Sequence, residues 1–177
     1  MFKIKTKLKA GFSLIEVMTA LFIISLGLVG VLSLIVQSIQ SQNLNKGLLI
    51  AYQLSQEGIE LVRHTRDSNW AAGQAWNTNL APLTPGSYYI IDYHAPFLPR
   101  VIDFPGQEYL KQDSLGFYYN PTSPNDSNKN SGFSRRIEIV TNPANPDHSI
   151  YVRAFITWSN NGKIFNYDLE TTLYDWK

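Results

Sequence analysis

The sequence predicts an α+β protein in which one long N-terminal helix packs on a C-terminal antiparallel sheet of about four strands. Three observations predict this fold. A long apolar run near the N-terminus passes into a segment with helical amphipathic periodicity. Aromatic-rich runs near the C-terminus alternate with the two-residue period of strands. Polar, turn-forming residues separate those runs.

The apolar run covers residues 12–36 and contains one charged residue, Glu16. As a helix, its 25 residues would extend roughly 37 Å, enough to cross a bilayer core of about 30 Å. The run is too long, and too apolar on all sides, for an ordinary core helix. Positive flanks stay in the cytoplasm, so the bulk of the chain is expected outside. The positive flank consists of Lys3, Lys5, Lys7 and Lys9.

Beyond Val36 the apolar residues recur every three or four positions. This spacing predicts that the same helix continues to Arg66 with one face covered by the sheet. The predicted buried face comprises Leu44, Leu48, Ala51, Leu54, Gly58, Leu61 and Val62. The predicted exposed face carries Lys46, Gln53, Glu57, Glu60 and His64. The helical pattern is expected to end at residues 67–69, before a connection that extends to residue 85.

Strands are predicted over residues 87–93, 115–119 and 133–141. A final hairpin is predicted around Asn161-Gly162, a pair that suits the positive φ angles of a type I′ turn. Its return strand covers residues 164–175. Residues 120–132 and 142–147 are polar and are expected to be loops. In the first arm of the hairpin, one face is formed by Ile150, Val152, Ala154, Ile156 and Trp158.

Composition excludes several classes of function. The chain has no cysteine, so disulfides, thiolate metal sites and cysteine nucleophiles are excluded. Without the four N-terminal lysines its formal net charge falls from +1 to −3, which disfavours general nucleic-acid binding. A small basic patch could be formed by Arg135, Arg136 and Arg153, but a solvated strand face is the favoured interpretation of these residues.

The best enzyme alternative is an outward-facing, membrane-anchored hydrolase, and the sequence argues against it. The histidines, His64, His94 and His148, are far apart, and the sequence has no H-E-x-x-H, no G-x-S-x-G and no P-loop glycine pattern. We therefore predict no catalytic residue, no cofactor and no metal site. Asp126 and its asparagine neighbours could touch Ca²⁺, but too few carboxylates lie there. The triplet 125–127 fits an N-glycosylation acceptor, a pattern that arises often by chance.

Residues 9–17, KAGFSLIEV, resemble the prepilin processing motif, which reads G-F-[ST]-L-[IV]-E. The family with this motif comprises type IV pilins and the pseudopilins of type II secretion and DNA uptake. The predicted long helix and C-terminal sheet extend the resemblance to the architecture. The resemblance implies four segments: a cleaved basic leader (1–11), a membrane or filament-core helix (12–36), its amphipathic continuation (37–66) and an outward-facing domain (67–177).

The resemblance also implies roles for five residues. Cleavage by a prepilin peptidase is expected between Gly11 and Phe12, with N-methylation of Phe12. Glu16 matches the acidic residue that subunits need to join the filament. A charge in a spanning helix also needs a partner on physical grounds, and the amine that cleavage creates on a neighbouring Phe12 could supply it. Gly27 and Gly30 could permit close helix packing or a local loss of helicity in the filament; both interpretations stay open.

The sequence therefore predicts a minor type IV pilin-like subunit that takes part in the initiation or assembly of a pilus. It is expected in the inner membrane with its N-terminus cytoplasmic, and later on the pilus surface. The expected partners are a prepilin peptidase/methyltransferase, other pilin or pseudopilin subunits and a pilus assembly platform. Nucleic acid is not an expected partner. The alternatives are a minor pseudopilin of a secretion or competence system, and an adhesive or ligand-binding tip module.

Overall fold

The computed structural model describes residues 11–82, 87–93, 100–103, 109–120 and 128–176. The chain divides into two compact units, Met1–Asn43 and Leu44–Lys177. The predicted α+β class is confirmed. The elements are α1 (Leu14–Ala71), β1 (Ser87–Ile90), β2 (Arg100–Asp103), β3 (Lys111–Gln112), β4 (Tyr118–Tyr119), β5 (Lys129–Asn130), β6 (Phe133–Thr141), β7 (Ser149–Asn160) and β8 (Lys163–Tyr174).

The described part of the N-terminal unit consists of the apolar half of α1 and the three residues before it. Every described side chain from Gly11 to Asn43 is exposed, including large apolar residues such as Phe22 and Leu34. The mean hydropathy of its most apolar window is 2.6, and the helix is long and apolar enough to cross a membrane by length and composition. Within the described chain, nothing covers this apolar surface.

The helix continues to Ala71, so the predicted end at Arg66 is wrong. The end is a Schellman motif, in which the Gln74 N–H donates to the Asn69 carbonyl (2.9 Å) and the Gly73 N–H to the Trp70 carbonyl (3.1 Å). Gly73 has a φ of 69°, a conformation that glycine adopts without steric cost. The polar residues at 67–69 indicated a helix end in the sequence, but tertiary contacts keep them helical.

The larger sheet has five antiparallel strands in the order β2-β1-β6-β7-β8. β6 has the predicted bounds, and β7 and β8 form the predicted hairpin. At its turn, Asn161 and Gly162 have φ angles of 51° and 76°, positive as predicted. β2 was not predicted; its four residues have no clear alternation, and pairing with β1 defines them as a strand.

A second, small sheet has the order β4-β3-β5. β5 lies within residues 120–132, which were predicted to be a loop, so that prediction is wrong at residues 129–130. The sheet is tied to β6 through Leu110, whose N–H donates to the Phe133 carbonyl (2.7 Å) and whose carbonyl accepts from the Ser131 N–H (2.9 Å). Leu110 is fully buried, so hydrophobic burial fixes these short strands.

The core of the C-terminal unit lies between α1 and the inner face of the larger sheet. All five residues predicted for the inner face of β7 are buried. On the helix, Ala51, Leu54 and Val62 are buried as predicted, but Leu44 and Leu48 are 37% and 44% exposed. The prediction for these two is wrong because the first helix residue in the core is Ala51, and one turn before it the position that faces the sheet is Gly47. There a Cβ would lie 2.7 Å from Nε1 of Trp158, which is packed tightly against the helix.

Candidate functional site

The candidate site lies at the start of α1. The Ser13 carbonyl accepts from the N–H groups of Glu16 (3.1 Å) and Val17 (3.2 Å), which places Ser13 at the N-cap position. Glu16 is then the third helical residue, in the first turn. A serine cap followed three residues later by a glutamate is the spacing of a capping box, a signal that our sequence analysis missed. The helix dipole also favours a carboxylate at this end.

The peptide bond between Gly11 and Phe12 precedes the first helical residue. Residues 11–13 have no regular secondary structure, and the Phe12 side chain is 82% exposed. A Cβ on Gly11 would meet no atom within 4 Å. Packing in the described chain therefore does not explain the glycine. The bond is accessible and non-helical, as a peptidase substrate must be.

Three hydroxyl groups in the apolar half of α1 are satisfied by the helix itself. Thr19 donates to the carbonyls of Ile15 and Glu16, both at 2.9 Å. Ser25 donates to the Phe22 carbonyl (2.8 Å), and Ser33 donates to the carbonyl one turn before it (3.0 Å). A hydroxyl can use the second lone pair of a helical carbonyl in this way, so these residues tolerate an apolar environment.

Glu16 is different, because a carboxylate accepts hydrogen bonds and has none to give when ionised. Within the described residues, no hydrogen bond or ion pair involves its side chain. The same helical segment is apolar on every side and unpartnered. The four N-terminal lysines lie outside the described residues. Glu16 is therefore a charged group on an otherwise apolar helical segment, without a partner among the described residues.

Gly27 and Gly30 both lie in regular helix. A Cβ on either residue would meet nothing within 4 Å. The described subunit therefore gives no reason for glycine at these positions. Close packing against another helix and local loss of helicity both remain open as explanations.

Among the described residues, the other side chains singled out by the sequence do not form a second site. His64 lies on the exposed face of α1, and His148 lies in the connection before β7. His94 and the segment 121–127, with Asn125 and Asp126, lie outside the described residues. Across the part of the chain that the structure describes, no group of three or more His, Cys, Asp or Glu residues could hold a metal ion.

The three arginines considered as a basic patch are on opposite faces of the sheet. Arg135 is 2% exposed and points to the inner face, where it pairs with Glu57 at 3.1 Å. On the outer face, Arg136 lies over the Tyr88 ring at 5.0 Å. Arg153 contacts the carboxylates of Glu138 and Glu170. Strand alternation in the sequence already separates residue 135 from residue 136.

Comparison with known families gives one match. A family described as "Prokaryotic N-terminal methylation motif" matches residues 6–32. The matched segment contains the Gly11-Phe12 bond, Glu16, Gly27 and Gly30. No match was found among curated proteins or among solved structures.

Proposed function

The chain is a type IV pilin- or pseudopilin-like protein, and on this premise we propose that it is a minor subunit that helps initiate or build a type IV pilus. Its motif implies processing by a prepilin peptidase and assembly with other pilin subunits. Proteins of this family are structural subunits. Two features favour a minor role. The chain has no cysteine and therefore no C-terminal disulfide loop, and its C-terminal sheet is rich in aromatic residues.

In the proposed maturation, a prepilin peptidase cuts between Gly11 and Phe12 and discards the basic leader, residues 1–11. The new N-terminus, Phe12, is then N-methylated, which preserves its positive charge. Residues 12–36 anchor the subunit and later form part of the filament core. The rest of the helix continues to Ala71, and the chain beyond it belongs to the outward-facing domain.

The motif and the apolar helix together support membrane anchoring. We propose a single pass through the inner membrane, with the N-terminus cytoplasmic, because lysine-rich flanks are retained on that side. An assembly platform would then move the mature subunit into the pilus. Without the leader lysines the formal net charge is −3, which does not support a nucleic-acid partner.

One observation carries the assembly role: Glu16 has no partner in the described chain, whereas the hydroxyls of Thr19, Ser25 and Ser33 each donate to a helical carbonyl. A charge at the centre of a spanning helix costs about 2.5–3.5 kcal/mol, and less near its end, where Glu16 lies. We propose that the partner is the α-amine of Phe12 in a neighbouring subunit. Pairing compensates both charges and makes assembly favourable only after cleavage.

Replacing Glu16 tests this proposal. The Glu16→Leu variant is expected to be cleaved normally but to enter filaments at least about 100-fold less than wild type, since an uncompensated partner of a buried ion pair costs about 3–5 kcal/mol. Cleavage would be measured by mass spectrometry after co-expression with a prepilin peptidase. Incorporation would be measured by quantitative immunoblotting of purified filaments.

Ser25→Ala is the matched control, because it removes a polar group that the helix already satisfies. That variant should be cleaved and incorporated at the wild-type level. Wild-type incorporation of Glu16→Leu would contradict the proposed pairing. Loss of incorporation in both variants would show that any change of polarity in this segment blocks assembly, and would also contradict it.

A further inference from the structure

The C-terminal unit contains an open groove that the proposed assembly role does not use. One wall is formed by Gln53 and Glu57, one turn apart on α1. Tyr93, three residues after β1, contributes to the lining, and the β3–β4 connection supplies the opposite wall with Phe117 and its neighbours Gly116 and Tyr118. Its volume is about 670 Å³, within the range of about 300–1,000 Å³ that is typical of ligand sites.

Two aromatic rings of this groove remain accessible. Phe117 is 60% exposed and Tyr93 is 41% exposed. The Asp113 carboxylate holds the Phe117 wall in place, because its Oδ1 atom accepts from the N–H groups of Leu115 (2.9 Å) and Phe117 (2.8 Å). The Asp113 N–H also donates to the Phe117 carbonyl (3.0 Å). The wall is therefore ordered before any ligand binds, which lowers the entropic cost of binding.

One carboxylate, Glu57, lines the groove, and two more lie near its tyrosine. Partial desolvation raises the pKa of Tyr93, and the nearby carboxylates of Asp113, Asp92 and Glu57 raise it further. Asp92 is 9% exposed, and its Oδ2 atom accepts from the Asn120 N–H at 2.6 Å. Its Oδ1 atom has no hydrogen-bond partner among the described residues. Three carboxylates thus raise the pKa of one accessible tyrosine, Tyr93.

A buried arginine compensates only part of this charge. Arg135 pairs with Glu57, but it also donates to the buried carbonyls of Leu54 (3.3 Å) and Ile91 (3.1 Å). Its side chain is 1% exposed, so it cannot turn towards the groove, whereas the Glu57 side chain is 37% exposed. The accessible part of Glu57 remains available to a second cation.

We propose that this groove binds a cationic peptide segment of a partner protein, with a Lys or Arg side chain placed between the aromatic rings and Glu57. A cation over an aromatic face is attracted by the ring quadrupole, and the three carboxylates add Coulombic attraction. The aromatic walls favour an organic cation over a metal ion, for which the described residues provide no ligand group. This recognition site lies within the C-terminal unit and does not depend on the proposed assembly role.

The experiment uses the full chain in a nonionic detergent and a fluorescently labelled pentapeptide with one arginine and one lysine between glycines. Binding would be measured by fluorescence anisotropy. The expected dissociation constant is below about 1 mM, and it should rise with NaCl from about 0.1 to 1 M, because salt screens exposed charges. A matched peptide with glutamine at both cationic positions should not bind.

Two pairs of variants locate the site. Gln53→Lys adds a positive charge to the groove and should weaken binding about tenfold, whereas Gln74→Lys, an exposed change outside the groove, should leave it within about twofold. Phe117→Ser should weaken binding about fivefold, while Leu115→Ser on the same turn should not. Absence of binding, equal binding of the glutamine peptide, or equal effects within a pair would overturn the proposal.

Discussion

At the scale of single residues, the apolar half of α1 shows which polar groups a helix can satisfy by itself. A helix has spare carbonyl lone pairs throughout, but spare N–H groups only in its first turn. Thr19, Ser25 and Ser33 are donors and find acceptors one turn back. The Glu16 carboxylate is an acceptor in the first turn, where helix N–H groups are spare, but it accepts no hydrogen bond from the described residues. This chemical difference, rather than polarity alone, distinguishes Glu16 from its neighbours.

A first prediction at this scale concerns Gly11 and the processing of the chain. We expect Gly11→Val to block processing, because a β-branched side chain before the scissile bond obstructs a peptidase and stiffens the backbone. Mass spectrometry after co-expression with a prepilin peptidase should detect only the uncleaved chain. The same exchange at Gly27, within the helix, serves as the control and should be cleaved normally. Normal cleavage of Gly11→Val would contradict the proposed processing site.

A second prediction at this scale concerns Tyr89 and the pH dependence of stability. Its buried hydroxyl donates to the Ala81 carbonyl at 2.7 Å, and burial raises its pKa above the ordinary value of 10.0. The pKa of Tyr89 is therefore higher in the folded state than in the unfolded state. The stability that the protonated hydroxyl contributes is fully present below pH 10.0 and is lost as pH rises through the folded pKa. The midpoint temperature of thermal unfolding should therefore decrease as the pH is raised above 10.0.

The Tyr89→Phe variant tests the cause of this effect. It should lose about 1 kcal/mol of unfolding free energy at neutral pH, because the hydrogen bond to Ala81 is removed. Its further loss on going from about pH 9 to pH 11 should be smaller than that of the wild type. An identical alkaline loss in both proteins, measured by circular dichroism, would exclude Tyr89 as a source of the pH dependence.

At the scale of elements, the end of α1 depends on a side chain that reaches beyond the helix. The Asn69 amide donates to the carbonyls of Trp76 (3.0 Å) and Thr78 (2.9 Å) and so fixes the connection after the helix. Trp70 packs edge to face on Trp176, with ring centroids 4.6 Å apart. The last turns of the helix therefore form together with residues far from it in sequence.

Asn69→Ala should destabilise the protein by about 1–3 kcal/mol, because two carbonyl groups lose their donor at a buried position. The measurement is the free energy of unfolding from urea titration. Asn77→Ala is the control, because Asn77 is exposed and its hydrogen bond in this turn is made by its backbone carbonyl. The free energy of unfolding of this variant should stay within about 0.5 kcal/mol of the wild type. Equal losses in the two variants would argue against the proposed role of Asn69.

The elements that the sequence predicted well are those with strong local patterns. β6, β7 and β8 have clear alternation and a turn pair whose positive φ angles match the prediction. β2, β3 and β5 have four residues or fewer and were missed. Such short segments become strands only through pairing with a neighbour, and single-sequence patterns do not record that pairing.

At the scale of the molecule, the two units differ in what stabilises them. Both hydrophobic clusters of buried residues belong to Leu44–Lys177. The described side chains of Met1–Asn43 are exposed. The C-terminal unit therefore has a core of its own, whereas the apolar part of the N-terminal unit requires lipid or other subunits to cover it.

We expect a fragment that begins at Leu44 to fold independently, because its core needs no residue from the N-terminal unit. It should be soluble and unfold in one cooperative transition, measured by circular dichroism and size-exclusion chromatography. Val152→Asp, which buries a charge at a fully buried position, should abolish the transition. Aggregation of the wild-type fragment, or a transition without cooperativity, would contradict this expectation.

The sequence by itself determined the apolar helix, the motif around Gly11 and Glu16, and the C-terminal hairpin, because each is encoded within a short stretch of chain. Only the tertiary structure decided the role of Arg135, which donates to a carbonyl 81 residues away, and the need for glycine at residue 47 against Trp158. The aromatic, acidic groove likewise joins α1 to segments that follow β1 and β3. These features depend on contacts between distant residues, and a local pattern carries no information about which distant residue will be the neighbour.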